Sequence, residues 1–78
     1  MKITMKSVDS SNIQSIGYDK EIKTLVVMFK TGNAYSYSGV SEEDFQKFDT
    51  AQSKGQHFAR EIRGKYSAEK VEESLQVA

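Results

Sequence analysis

Between Ile13 and Tyr37 the chain reads as three short runs of mixed apolar and polar positions. They are Ile13-Gln14-Ser15-Ile16-Gly17-Tyr18, Thr24-Leu25-Val26-Val27-Met28-Phe29 and Ala34-Tyr35-Ser36-Tyr37. Their β-branched and aromatic residues suit a pleated, packed surface, and the runs predict strands. Asp19-Lys20-Glu21-Ile22-Lys23 connects the first pair and Lys30-Thr31-Gly32-Asn33 the second, with Gly and Asn available for the positive φ of tight hairpins. A three-stranded antiparallel meander follows. Residues Lys2 to Val8 alternate weakly, and either add a fourth, edge strand or remain an arm.

The pattern then changes period. Ser41 caps a helix whose first turn, Glu42-Glu43-Asp44, places acids at the positive end of the helix dipole, and Val40 is set to staple against Phe45. Phe45, Phe48 and Ala51 recur at spacings of three and give the helix an apolar face. A second helix is expected from about Gly55 to Arg63, burying Phe58 and Ile62 and stopped by Gly64. Beyond Tyr66, Ser67 is placed to cap a third helix carrying Val71 and Leu75, while the acidic, apolar-poor composition is equally that of a frayed tail. The expected fold is α+β: a three- to four-stranded antiparallel meander with two short helices on one face and a possible third at the C-terminus. Residues 1–66 form the domain and 67–78 the helix or tail.

Composition narrows the functional classes. Seventy-eight residues support a single core, and the absence of cysteine rules out disulfides and thiolate metal sites and suits a reducing cytoplasm. Met1-Lys2-Ile3-Thr4-Met5-Lys6 has no continuous apolar run of the kind that enters a membrane. Eleven basic residues balance eleven acidic ones, which argues against a uniformly basic nucleic-acid binder. The only basic stretch is Lys54, Arg60, Arg63 and Lys65, between the acids of the first helix and Glu69, Glu72 and Glu73.

No nucleophile with a base, no pocketed carboxylate pair and no metal-ligand spacing is recognisable, so no catalytic residue, metal or cofactor is expected. His57 stands alone, and a surface pair with Glu61 one turn on is its simplest role. Ser53-Lys54-Gly55-Gln56 at a helix start combines free N–H groups with the close approach glycine permits, which favours an anion. Arg60 and Arg63, one turn apart, are placed to reach the same ligand, with Lys65 close by. A solvated, salt-bridged helix face is the plainer account of these charges.

Tyr35 and Tyr37 project from one face of their strand, and the parity of the preceding loop decides which. A loop of two or four residues sets them opposite Val26 and Met28; a three-residue loop sets them beside Val27 and Phe29. They either pack under the helices or form a stacking platform for bases.

Taken in order, Val8-Asp9-Ser10-Ser11-Asn12-Ile13, Ile16-Gly17-Tyr18-Asp19, Leu25 to Phe29, Gly32, Tyr35-Ser36-Tyr37, Gly39-Val40, Phe45, Ala51, Ser53, Gly55, Phe58 and Ile62-Arg63-Gly64-Lys65-Tyr66 resemble a KTSC domain. That family is named for the C-terminus of some lysyl-tRNA synthetases and also includes stand-alone bacterial and phage proteins. The resemblance spans residues 8 to 66 and implies RNA binding through its synthetase context. Ser41 stands where many relatives carry proline. His57 and Ala59 flank Phe58 where relatives more often have an aromatic and an asparagine, so a ligand contact by that asparagine would be missing here.

The expected function is a non-catalytic module that binds an RNA segment or a nucleotide through Ser53, Lys54, Gly55, Arg60, Arg63, Lys65, Tyr35 and Tyr37. The alternative is a protein-interaction or self-associating module, of the phage type that sequesters a signalling nucleotide or a host protein.

Overall fold

In the computed structural model, which describes residues 3–71 and 76–77, the three runs form the centre of one sheet. Strands β2 (Ile13–Asp19), β3 (Thr24–Phe29) and β4 (Ala34–Ser38) make the expected antiparallel meander. The N-terminal segment is a strand rather than an arm: β1 (Thr4–Ser7) pairs antiparallel with β2, Lys6 opposite Ile16. On the other side β5 (Ala68–Val71) pairs antiparallel with β4, Tyr35 opposite Lys70. To these five strands a two-residue strand, β6 (Gln76–Val77), adds parallel to β1 at the far edge, giving the order β5-β4-β3-β2-β1-β6.

The segment after Ser67 therefore corrects the expectation of a third helix or frayed tail. Ala68, Glu69 and Lys70 have no strand propensity of their own, but β4 offers a full row of backbone donors and acceptors, and pairing satisfies both strands. Val71 sits opposite Ala34 and packs against the buried cluster that includes it. Leu75 lies outside the described residues.

Helix α1 (Glu42–Asp49) starts as its sequence dictates: Ser41 Oγ accepts from the Asp44 N–H at 3.1 Å, and half-buried Phe45 packs against the core cluster that holds Val40. Helix α2 (Lys54–His57) runs on into a π-helical turn over Phe58–Ile62, closed by the Arg63 N–H donating to the Phe58 carbonyl at 2.8 Å. Gly64, at φ +86°, ends it. Both helices lie on one face of the sheet, where Ile13, Ile16, Leu25, Val27, Tyr37, Phe48, Phe58 and Ile62 are buried.

The opposite face has its own small core of Ile3, Met5, Val26 and Ala34. It depends on Gly17, where a Cβ would come within 2.5 Å of Ile3 Cγ2 and 2.8 Å of the Thr4 carbonyl oxygen. The glycine is what lets β1 lay its apolar side chains across β2.

Candidate functional site

Loop parity decides the tyrosines' environment. Phe29 donates its N–H to the Asn33 carbonyl at 2.9 Å, which leaves the three-residue loop Lys30-Thr31-Gly32 with Gly32 at φ +96°. Tyr35 and Tyr37 consequently stand opposite Val27 and Leu25, on the helix face. Tyr37 is buried and Tyr35 half-buried.

Four rings meet edge-on at this end of the core. Phe29 lies 6.2 Å from Tyr35 and 5.3 Å from Phe58, and Tyr37 lies 5.5 Å from Phe58. Beside them is a cleft of about 440 Å³, whose wall the rings share with Asn12, Asn33 and Arg63. Among the described residues neither tyrosine hydroxyl has a protein hydrogen-bond partner. Burial pushes the Tyr37 phenol above its ordinary pKa, with Tyr35 adding to the shift and Arg63 opposing it. Arg63 follows the π-helical turn in extended backbone (φ −65°, ψ 126°).

Gly55 has a packing use of its own. A Cβ there would lie 2.9 Å from Asn12 Oδ1, so the glycine makes room for the Asn12 side chain. Ser10 fixes that asparagine, donating from Oγ to Asn12 Oδ1 at 3.2 Å and accepting from the Ile13 N–H at 3.3 Å. On the far side of this contact a second, polar cavity of about 520 Å³ shares Asn12, Gly55 and Ala59 with the cleft; Ser53 and Lys54 lie in its wall. Ser53 also caps α2, accepting from the Gln56 N–H at 3.4 Å. Ala59, where the family resemblance implies asparagine, borders both spaces.

The basic cluster read from the sequence is thereby divided. Arg63 joins Tyr35, Tyr37 and Gly55 in the cleft, and Ser53 and Lys54 join Gly55 in the adjoining cavity. Arg60 lines a third space with Lys47, His57 and Ser53, which adjoins the polar cavity at Gln52, Ser53 and Gln56 but not the cleft, and pairs with Glu61 at 3.8 Å. Lys65 pairs with Asp44 at 3.8 Å, its ammonium 5.6 Å from the centre of the Tyr66 ring. Arg60 and Arg63 do not share a cavity because the chain leaves helical geometry between them. His57 lies against the Phe48 ring at 5.6 Å and borders, with Asp44 and Glu61, a space of only about 80 Å³, room for a few waters and too small for an organic substrate.

Sequence reading missed Asn12 and Asn33 as site residues and took Phe29 and Phe58 only as strand and core positions. The polar run Ser10-Ser11-Asn12 was the available signal for Asn12, but its partner Gly55 is remote in sequence. Among the described residues no helix is long and apolar enough to cross a membrane, and no group of three or more His, Cys, Asp or Glu side chains is placed to hold a metal ion.

Comparison with known proteins gives a consistent family. The model of the KTSC domain matches residues 9–66. A lysine–tRNA ligase of Nostoc punctiforme is 35% identical over 63 residues, 81% of this chain, which spans 11% of the ligase. A Stutzerimonas stutzeri protein described as uncharacterized is 40% identical over 52 residues, 67% of this chain and 73% of its own. The crystal structure of a KTSC domain protein from Yersinia pestis superimposes with a TM-score of 0.87 at 38% identity, covering 90% of this chain and 99% of that one.

Proposed function

We propose that this chain, which belongs to the KTSC domain family, is a non-catalytic binding module for a phosphate-bearing ligand, an RNA segment or a nucleotide, held in the aromatic cleft. The observation that carries this reading is the convergence of Phe29, Tyr35, Tyr37 and Phe58 with Asn12, Asn33 and Arg63 on one open cleft. Aromatic side chains that take a base are worth roughly 1–3 kcal/mol per base. The two amides offer donors and acceptors for a base edge, and the guanidinium suits a phosphate. With zero formal net charge, the chain attracts a long polyanion weakly, and the attraction is local to the cleft. Kinship with a region of lysine–tRNA ligases adds weight to RNA as the ligand class.

Titration of ¹⁵N-labelled protein with ribonucleotides and short RNA tests it. Amide shifts of Asn12, Asn33, Tyr35, Gly55 and Arg63 should move first, and Arg63→Ala should weaken binding and flatten its salt dependence. Unchanged shifts at these five positions would sink the reading.

A second reading, a protein-interaction or self-associating module, draws on β5, which ends the sheet and pairs with β4 along one side. Such an edge adds a strand from another chain. Sedimentation over a range of concentrations separates the versions: a strict monomer excludes self-association through β5.

A further inference from the structure

We infer that the site takes two linked ribonucleotides rather than one, the first base in the aromatic cleft and the second nucleoside in the polar cavity beside it; this rests on the cleft being a nucleotide site. The cleft and the cavity, about 440 and 520 Å³, each have the size of a small-ligand pocket, and they meet at Asn12, Gly55 and Ala59. Two of those three residues are the smallest in the alphabet, so the divide carries little side-chain bulk. The third, Asn12, is held in place by Ser10 and points its amide at the junction.

The linings differ in kind. The cleft is built of rings, and the cavity largely of neutral hydroxyls and amides, among them Ser11, Gln52, Ser53 and Gln56, with Asp9 as a carboxylate in its wall. Rings take a base by its face; hydroxyls and amides take ribose hydroxyls and base edges. A second base is accordingly hydrogen-bonded rather than stacked, and a ribose there is distinguished from a deoxyribose. One cation stands on each side, Arg63 in the cleft and Lys54 in the cavity. Arg63 matches the linking phosphodiester, whereas in the cavity Asp9 offsets Lys54, whose ammonium donates to the Ala51 carbonyl at 3.5 Å, so that side suits the neutral second nucleoside rather than a further phosphate. A free dinucleotide and two residues of an RNA strand present this same chemistry.

Isothermal titration of the full chain with the four ribonucleoside 5′-monophosphates, the four linear homodinucleotides bearing a 5′-phosphate, their deoxy counterparts and homo-octaribonucleotides tests the inference. At least one ribodinucleotide should bind roughly tenfold more tightly than its mononucleotide, since the second unit joins without a second association cost. It should also bind several-fold more tightly than its deoxy form. Gln56→Ala, an exposed change within the cavity wall, should narrow the gap between dinucleotide and mononucleotide. An octamer that binds as well as the dinucleotide identifies a strand as the source; one that binds less well identifies a free dinucleotide. Equal affinity for mono- and dinucleotides overturns the two-unit site while leaving the cleft reading intact. Failure of every nucleotide to bind overturns both.

Discussion

The two ends of the helix-covered core use the same kinds of residue to opposite effect. At the end formed by β2 and α1, Tyr18 and Phe45 stack face to face at 4.6 Å and 7°, and the Tyr18 hydroxyl donates to the Val40 carbonyl at 2.5 Å. Tyr66 then ties the chain after α2 back to α1 by donating to Asp44 Oδ2. At the other end Phe29, Tyr35, Tyr37 and Phe58 meet edge to face around an open cleft, and the tyrosine hydroxyls have no protein partner among the described residues. Aromatic content alone therefore does not distinguish a brace from a site. What distinguishes them is whether the polar tips are already engaged by the protein.

Substitutions should separate the two ends. The largest effect is expected where core and cleft overlap: Phe58→Ala removes a buried ring that contacts Phe29, Tyr37 and Phe48, and should cost about 3–5 kcal/mol in urea unfolding while abolishing ligand binding. Tyr66→Phe breaks a hydrogen bond to a carboxylate that is partly open to solvent and should cost about 1–2 kcal/mol with binding retained.

The Tyr66 change also carries a pH signature. The hydrogen bond from Tyr66, aided by Lys65, Lys47 and His57, holds the Asp44 carboxyl below its ordinary value against a smaller opposing effect of burial, and the same bond pushes the Tyr66 phenol up to about 12. For Asp44 the stabilisation is present above the ordinary carboxylate pKa and is lost as pH falls through the depressed folded value. For Tyr66 it is present below the ordinary phenol value and is lost as pH rises toward about 12. Urea midpoints measured across pH should fall at both extremes in the parent protein, and Tyr66→Phe should flatten both limbs.

Tyr18→Phe should cost about 1 kcal/mol, the worth of one neutral hydrogen bond, again without changing affinity. The smallest effect on stability is expected from Tyr35→Phe, within about 0.5 kcal/mol, because no group among the described residues loses a partner. If Tyr35→Phe instead destabilised as much as Tyr18→Phe, the contrast between a braced end and an open end would fail.

Much of this arrangement is legible in the amino-acid sequence. The meander, the Ser41 cap with its three acids and the Gly64 stop all follow from local chemistry, and loop parity reduced the tyrosines' placement to two options. Three things were out of reach. The contact of Asn12 with Gly55 joins distant segments, so nothing local announces it. Arg60 and Arg63 read as neighbours under ordinary helical spacing, and the π-helical turn over Phe58–Ile62, which has no local sequence mark, sends them to different spaces. Ala68-Glu69-Lys70-Val71 has helical composition and becomes a strand because of what β4 needs, an instance of tertiary context overriding propensity.

The two strands that flank the meander, β1 and β5, have one more consequence. Residues 9–66 carry the family match, yet β1 ends at Ser7 and β5 begins at Ala68, so both fall just outside it. A fragment trimmed to the matched region would keep every wall of the cleft except Ala68 while stripping β2 and β4 of their neighbours and baring the apolar side of Gly17 and Val26. Its two raw margins would invite one copy to zip onto the next. The stretch that the family model matches is thus narrower than the stretch that folds, and β1 and β5 serve the sheet as hems serve a cloth.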